Sequence, residues 1–366
     1  MKKRQSNFEL LRIVAMLMII TLHYLSKGGV IFGLQEDRSI ANHVWNLLEA
    51  FCLVAVNVYV LISGYFMVDA EWRIGKAIKL WLEIMFYSLI VPVVLGAFGL
   101  VDLGSLELGT WQQILMPIQY EHYWFATAYL MMYLLSPVLA TAINKLEKNQ
   151  LQKVILGLLT VFCVAKSINP YLIPWDKYGY DFSWFICLFL IAGYIRKYGI
   201  ACLENKKWSG IALYVCSVVL TWCICLVVAL IASRTGKLGY YVDMTYSYNY
   251  ITVLTGSIGL FYCFKNLSLD NQKNKDDVTS SDDNNSRISG FINKVAGCTF
   301  GVYLLHENIL IRNEWMHLLG IDAANGTWWQ IFHLIFCVVV VFIIGILVDL
   351  VRKNIFRLFS KYDFSK

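Results

Sequence analysis

Runs of about 20 mainly apolar residues recur along nearly the whole chain, and a helix of that length crosses a hydrocarbon core roughly 30 Å thick. The 366 residues are 58% hydrophobic and 15% charged, whereas soluble domains are roughly 45–50% apolar and about 25% charged. A water-soluble fold cannot bury so much apolar surface. The chain is therefore predicted to be an all-α, polytopic membrane helix bundle whose solvent is the lipid bilayer.

The apolar runs predict about ten transmembrane helices, although eight to eleven spans fit the same pattern. Most of the 31 Lys and Arg residues fall in alternate loops between the runs, and such charge accumulates on the cytoplasmic side. Both the N- and the C-terminus are therefore expected in the cytoplasm. The predicted spans lie at residues 8–26, 44–68, 78–101, 122–143, 151–168, 181–199, 208–232, 249–267, 291–312 and 329–352.

The N-terminus also has the pattern of a secretory signal, because basic residues precede an apolar run. Glu9 and Arg12 interrupt that run, so we expect it to remain as the first helix. The chain then forms a single membrane domain over residues 1–366. Its longest polar stretch, residues 268–289, is rich in Asp, Asn, Ser and Lys and predicts a disordered cytoplasmic loop.

Two further compositional features predict what the chain does not bind. The ten cysteines contain no pair of closely spaced pairs, so they indicate packing residues and no metal site. The net charge of +6 follows from the basic cytoplasmic loops and requires no nucleic-acid partner.

The first span contains three ionisable residues, Glu9, Arg12 and His23. Such groups are costly inside a bilayer, so each is a candidate for function. At 100° and 1.5 Å per residue, Arg12 and His23 lie about 20° from eclipsed and about 16.5 Å apart. We expect them on one face, with Arg12 near the cytoplasmic mouth of a cavity and His23 deeper. Alternatively, Arg12 extends to the inner headgroups beside Glu9, and His23 is an interfacial histidine.

Polar residues around the second span are the next candidates. Asn57 is a buried amide that needs a partner, and Ser63 beside Gly64 allows close helix packing. Arg73 and Lys76 follow the span on the cytoplasmic side. They either belong to the general positive charge of inner loops or hold an anionic cytosolic ligand.

The last candidates lie near the predicted outer face. His122 and Trp124 open the fourth span, and Tyr303 and His306 lie late in the ninth. Aromatic residues at such boundaries usually form an interfacial belt. The second interpretation is that these four residues support His23.

Taken together, these segments resemble the acyltransferase 3 family of membrane-bound enzymes, whose members add acyl groups, most often acetyl, to extracytoplasmic carbohydrates. Many relatives carry an additional soluble domain after the bundle. This chain ends soon after its tenth span, so we expect the membrane domain or a separate partner to modify the acceptor. The resemblance covers the whole bundle and rests on Asn7-Phe-Glu-Leu-Leu-Arg12 followed by His23, Leu61-Ile-Ser-Gly-Tyr-Phe66 with the basic residues after it, His122-Tyr-Trp-Phe125 to Leu135-Ser-Pro137, and Tyr303-Leu-Leu-His306.

The resemblance implies a membrane O-acyltransferase that uses cytosolic acyl-CoA, most often acetyl-CoA, and a hydroxyl of an extracytoplasmic or lipid-linked carbohydrate. Arg12, Arg73 and Lys76 would then hold the phosphates of the donor. His23 would be either a general base or a transient acyl carrier. The supporting residues would be Glu9, Asn57, Ser63, His122, Trp124, Tyr303 and His306.

For such an enzyme we expect a multi-pass protein of the bacterial plasma membrane, and the sequence leaves its oligomeric state open, a homo-oligomer included. Two other functions fit a helix bundle with a polar interior. One is a transporter or flippase for a small solute or a lipid-linked sugar, although an inverted pair of Gly/Pro-broken helices is not evident. The other is a sensor or scaffold, for which the shared face of Arg12 and His23 would be a coincidence.

Overall fold

A computed structural model describes residues 5–169, 171, 173–206, 208–267 and 281–359, and the chain over these ranges is helical, without strands. A 3₁₀ turn, Leu103–Ser105, and a π-helical segment, Thr160–Val164, lie among the α-helices. The α-helices are α1 (Ser6–Lys27), α2 (Ile40–Cys52), α3 (Ala55–Met67), α4 (Ile74–Ala97), α5 (Leu108–Leu115), α6 (Trp124–Lys145), α7 (Lys148–Leu159), α8 (Ala165–Ile168), α9 (Phe182–Tyr198), α10 (Ser209–Thr235), α11 (Gly239–Met244), α12 (Ile251–Lys265), α13 (Ser281–Ala296), α14 (Thr299–His306), α15 (Trp315–Leu318), α16 (Ile321–Ala324) and α17 (Gln330–Phe359).

Within the described ranges, 8 helical segments are long and apolar enough to cross a membrane. The polytopic helical fold is thereby confirmed. Three of these segments combine consecutive helices: α2 with α3, α7 with α8 across the π-helical segment, and α13 with α14. The segments are Ser6–Lys27, Ile40–Met67, Ile74–Ala97, Trp124–Lys145, Lys148–Ile168, Ser209–Thr235, Arg287–His306 and Gln330–Leu358.

The other two predicted spans, 181–199 and 249–267, are the shorter helices α9 and α12, of 17 and 15 residues. Their lengths of roughly 23–26 Å fall below the hydrocarbon thickness of about 30 Å. Both helices are central, because α9 packs against α3, α6 and α7, and α12 packs against α10, α3 and α1. Neighbouring helices rather than lipid surround much of their surface, so neither helix has to match the bilayer by itself.

Facing glycines bring α10 and α12 into close contact. A Cβ atom added to Gly259 would lie 2.6 Å from the backbone nitrogen of Tyr214 and 2.9 Å from the backbone oxygen of Gly210. A Cβ atom on Gly210 would lie 2.5 Å from the backbone nitrogen of Cys263. The two backbones can therefore meet only because neither position carries a side chain, a common packing arrangement in membranes.

Buried ion pairs lie at both ends of the bundle. At the end that the Lys and Arg distribution assigns to the outside, Lys166 pairs with Asp176, and their side chains are 1% and 5% exposed. At the opposite end, Arg352 of α17 donates to Asp349 at 2.7 Å and to Glu83 of α4 at 2.9 Å. Each charge therefore has an opposite charge beside it, as a shielded ion requires.

Two predicted boundaries differ from the structure. Of the predicted disordered loop 268–289, residues 268–280 lie outside the described residues, whereas residues 281–289 belong to helix α13. The ninth span ends at His306 rather than at residue 312. Because the helix stops there, Glu307 begins a turn at the end of the bundle, and this turn forms part of the site described below.

Because α10 and α12 are in close contact, replacing glycine by alanine should destabilise the protein at Gly259 but not at Gly157. Gly259→Ala places a methyl group against backbone and should lower the free energy of unfolding by about 1–3 kcal/mol. Gly157→Ala is the control, because a Cβ atom there meets no atom within 4 Å, and it should be neutral or stabilising by up to about 1 kcal/mol. Thermal unfolding of the purified variants, followed by tryptophan fluorescence, measures both. Equal melting temperatures would disprove the close contact.

Candidate functional site

Two cavities meet at His23. The outer cavity has a volume of about 440 Å³ and is lined by charged and aromatic residues, whereas the inner cavity is narrow, at about 20 Å³, and mainly apolar. His23, Trp124 and Tyr248 line both of them. Trp124 is the first residue of α6, and Tyr248 lies just before α12. His23 therefore stands at the passage between the two spaces.

Hydrogen bonds fix the tautomer of the His23 ring. His306 Nδ1 lies 2.6 Å from the backbone oxygen of Val302, so this nitrogen carries the proton and His306 Nε2 is an acceptor. His23 Nδ1 lies 3.0 Å from His306 Nε2 and 3.1 Å from Glu307 Oε1. It therefore donates to these acceptors, which leaves the lone pair of its ring on Nε2. The hydrogen bonds of His23 to other described residues all use Nδ1, and Nε2 makes none.

The Glu307 carboxylate also accepts a hydrogen bond from the ammonium group of Lys27. The two side chains are 8% and 22% exposed, and the ion pair compensates both charges. Glu307 is thus held as an anion beside His23. A carboxylate in this position orients the imidazole and stabilises the cation that forms when Nε2 accepts a proton.

The turn that carries Glu307 is anchored by His122 and Tyr123. His122 Nε2 accepts the backbone N–H of Ile309 at 2.9 Å, while His122 Nδ1 lies 3.1 Å from the backbone oxygen of Gln113. Asn308 donates to the Tyr123 hydroxyl at 2.9 Å. Both ring nitrogens of His122 are therefore occupied, so this residue positions the turn rather than facing a substrate.

The same three residues are also a candidate metal site, because ligand atoms of His23, His306 and Glu307 all lie within 4.8 Å of one another. A metal ion would have to displace the His23–His306 hydrogen bond and compete with the Lys27 ammonium for Glu307. The described contacts favour a hydrogen-bonded relay. That no metal takes part stays a prediction.

Tyr303 lines the inner cavity one helical turn before His306. Its hydroxyl is buried and lacks a hydrogen-bond partner of normal geometry, although the backbone of Phe125 is close by. An unused buried hydroxyl is costly unless it meets a ligand. Tyr303 can therefore donate to an oxygen atom that enters this cavity.

The inner cavity continues along the face of α1 that leads back to Arg12. Met16 and Ile19 line it together with His23, and Arg12 lies one turn before Met16. The Tyr59 hydroxyl, from the same cavity, donates to the backbone oxygen of Arg12 at 3.0 Å. Arg12 itself lines neither cavity that meets at His23. Its guanidinium lies 3.9 Å from Glu9, its side chain is 28% exposed, and its Nε atom is buried without a partner.

A third cavity, of about 280 Å³, lies at the predicted cytoplasmic end and is lined by Lys76, Trp72 and Tyr129 among others. Arg73 is exposed and paired with Glu71, and its backbone oxygen accepts the Tyr133 hydroxyl. The structure thus brings Arg73 and Lys76 to one mouth of the bundle and leaves them apart from His23.

Hydrogen-bonded and aromatic side chains separate this cytoplasmic cavity from the inner one. The Tyr129 hydroxyl donates to Ser63 at 3.2 Å, and Ser63 donates to the backbone oxygen of Tyr59 at 2.9 Å. Phe125 stacks on Tyr129 with ring centroids 5.9 Å apart. Ser63 therefore belongs to the partition between the two spaces.

Asn57 holds Tyr248 in place and does not itself line the cavities at His23. It is fully buried, donates to the backbone oxygen of Tyr248 at 2.7 Å and accepts the indole N–H of Trp184 at 2.9 Å. Its amide therefore fixes Tyr248, which lines both cavities beside His23.

Four charged residues of the site were not selected from the sequence: Lys27, Glu49, Glu307 and Arg312, all of which line the outer cavity. Glu49 and Glu307 lie within predicted spans, so the rule that intramembrane charges indicate function would have found them. Lys27 and Arg312 lie at span ends, where positive charge is common. Only their position in the folded chain distinguishes them.

The model of an acyltransferase domain family, acyltransferase 3, matches residues 5–348. The chain belongs to the acyltransferase 3 family. Neither the curated proteins nor the solved structures contain a significant match. The chain is thus a multi-pass membrane acyltransferase, and family membership supports neither the transporter nor the sensor interpretation.

The relay of His23, His306 and Glu307 predicts that acyl transfer needs no metal. Dialysis of the purified enzyme against EDTA and 1,10-phenanthroline should leave the rate of acyl transfer unchanged, because the ligand atoms are already occupied by each other and by Lys27. Metal content is measured on the same samples by mass spectrometry. A loss of activity that Zn²⁺ restores would instead identify these residues as a metal centre.

Proposed function

We propose that this protein transfers an acetyl group from cytosolic acetyl-CoA to a hydroxyl of an extracytoplasmic or lipid-linked carbohydrate, in the bacterial plasma membrane. The observation that carries the proposal is the position of His23, whose unpartnered Nε2 belongs to a ring at the junction of two cavities. Such a transferase must bring a donor from one side and an acceptor from the other to the same base. Polar and charged groups on the outer side suit a carbohydrate.

The donor enters, in this proposal, from the cytoplasmic cavity. Lys76 lines that cavity and Arg73 lies at its mouth, where cations suit the phosphates of coenzyme A. The buried, unpartnered Nε atom of Arg12 is a further donor along the same path. The partition of Tyr129 and Ser63 must move to admit the pantetheine arm, which then reaches the inner cavity below His23.

The reaction follows from the tautomer of His23. Nε2 accepts the proton of the acceptor hydroxyl while the hydroxyl oxygen attacks the thioester carbonyl. The tetrahedral intermediate collapses, the C–S bond breaks, and Nε2–H returns the proton to the thiolate of coenzyme A. The products are an acetyl ester and the free thiol. Glu307 stabilises the imidazolium between the two steps.

The oxyanion of the intermediate needs a hydrogen-bond donor, and the acetyl group can also travel by a covalent route. The Tyr303 hydroxyl is the candidate donor to the oxyanion, because it is buried and unused in the inner cavity. His23 Nε2 can instead attack the thioester carbonyl itself, which breaks the C–S bond and leaves an acetyl-imidazolium and the thiolate of coenzyme A; the acceptor hydroxyl then takes the acetyl group and its proton passes to the thiolate. Both routes use the same atom, and detection of acetylated His23 in the absence of acceptor separates them.

Substitution of His23 tests the proposal. Purified His23→Gln protein, supplied with labelled acetyl-CoA and envelope glycans, should transfer label roughly 10²–10⁴-fold more slowly than the wild type, because the base is lost. His317→Gln is the matched control, since His317 is 48% exposed and pairs with Asp322, and it should retain full activity. Normal turnover by the His23→Gln variant would exclude His23 from the mechanism. Absence of transfer by the wild type would refute the proposed reaction.

A further inference from the structure

The outer cavity has an aromatic wall directly beside His23. Trp124, Tyr180 and Tyr248 form a cluster in which the Tyr180 ring lies 4.6 Å from each of the other two ring centroids. Tyr180 is 43% exposed, so this cluster is open to the cavity. Rings of this kind present an apolar face together with a polar hydroxyl or indole N–H, which suits the mixed surface of a sugar.

The charged residues that line the same cavity are not all paired with each other. Lys27 is neutralised by Glu307, which leaves Glu49 and Arg312. Neither of these side chains forms an ion pair with any residue of the described ranges. By contrast, the partly shielded Arg196 is paired with Asp69. The Arg312 guanidinium is thus a half-buried cation that faces a cavity without a protein partner.

Arg312 is held in place by the turn that also holds Glu307. Its backbone N–H donates to the backbone oxygen of Asn308 at 2.8 Å, and Asn308 is anchored on Tyr123. Glu307, which orients His23, and Arg312, which carries the unpaired guanidinium, therefore lie on one anchored segment. A ligand bound to Arg312 is in this way placed in a fixed relation to the reacting base.

We infer that the outer cavity binds an acidic sugar, whose ring packs on Trp124 and Tyr180 and whose anionic group pairs with Arg312. This inference rests on the proposed function and specifies its acceptor. A guanidinium binds carboxylate or phosphate through two parallel hydrogen bonds. Glu49, which has no ion-pair partner, accepts hydrogen bonds from the hydroxyls of the same sugar. The two unpaired side chains of the cavity therefore bind different groups of one ligand.

The test uses the natural mixture of acceptors. Envelope glycans are separated by anion exchange into neutral and acidic fractions and incubated with the purified full-length enzyme and labelled acetyl-CoA. Label should enter the acidic fraction. Carboxyl reduction of that fraction abolishes acceptance if the anion is a carboxylate, and removal of phosphate abolishes it if the anion is a phosphate.

Variants then test Arg312 itself. Arg312→Met should raise KM for the acidic acceptor ~10- to 100-fold with little change in kcat or in KM for acetyl-CoA. Arg312→Lys, which keeps the charge without the planar pair of donors, should have an intermediate effect and serves if the methionine variant does not fold. Arg234→Met is the control, because it removes an exposed arginine outside the cavity, and its KM should equal that of the wild type.

Label in the neutral fraction, or an unchanged KM in both Arg312 variants, would overturn the inference while leaving the proposed acetyl transfer intact. Failure of the wild type to transfer label to either fraction would overturn the proposed function and this inference with it.

Discussion

The hydrogen bond from His23 Nδ1 to Glu307 and His306 is the interaction on which the site depends, since it decides which nitrogen of His23 faces the cavities. The carboxylate can serve this purpose within the bundle only because Lys27 compensates its charge. The chain secures this arrangement with a turn after α14, fixed by His122 and Tyr123. His122, Tyr123 and Asn308, which line neither the inner nor the outer cavity, therefore act on His23 through this turn.

Most buried charges of the bundle are paired, and this distinguishes the unpaired Arg312 from the other charged residues. Lys166 with Asp176, and Arg352 with Asp349 and Glu83, are complete pairs and leave no charge for a ligand. Arg312 differs, because it faces a cavity and has no ion-pair partner in the described part of the chain. A partly buried guanidinium that lines a cavity and has no protein partner is available to pair with an anionic ligand. The same reasoning connects the acceptor to the outer cavity.

The sequence predicted the helices better than it predicted the site. Apolar runs located α1 and α17 because lipid requires long apolar helices, yet they overestimated the lengths of α9 and α12, which have 17 and 15 residues. Arg12 and His23 were visible as ionisable residues on one face, and Glu307 as a charge within a predicted span, whereas Arg312 is distinguished only by its place on a turn that lines the outer cavity. Pairwise contacts such as His23 with His306, 283 positions apart, have no local pattern in a single sequence.

The central claim is that His23 Nε2 meets the donor carbonyl at the junction of the inner and outer cavities. Cryo-electron microscopy of the full-length enzyme with a non-hydrolysable ketone analogue of acetyl-CoA tests it most directly. The account predicts the carbonyl carbon within about 3–4 Å of His23 Nε2, the ring still bonded to Glu307 through Nδ1, and the phosphates beside Arg73 and Lys76. An analogue bound with its carbonyl away from His23, or a ring turned so that Nε2 faces Glu307, would contradict the account.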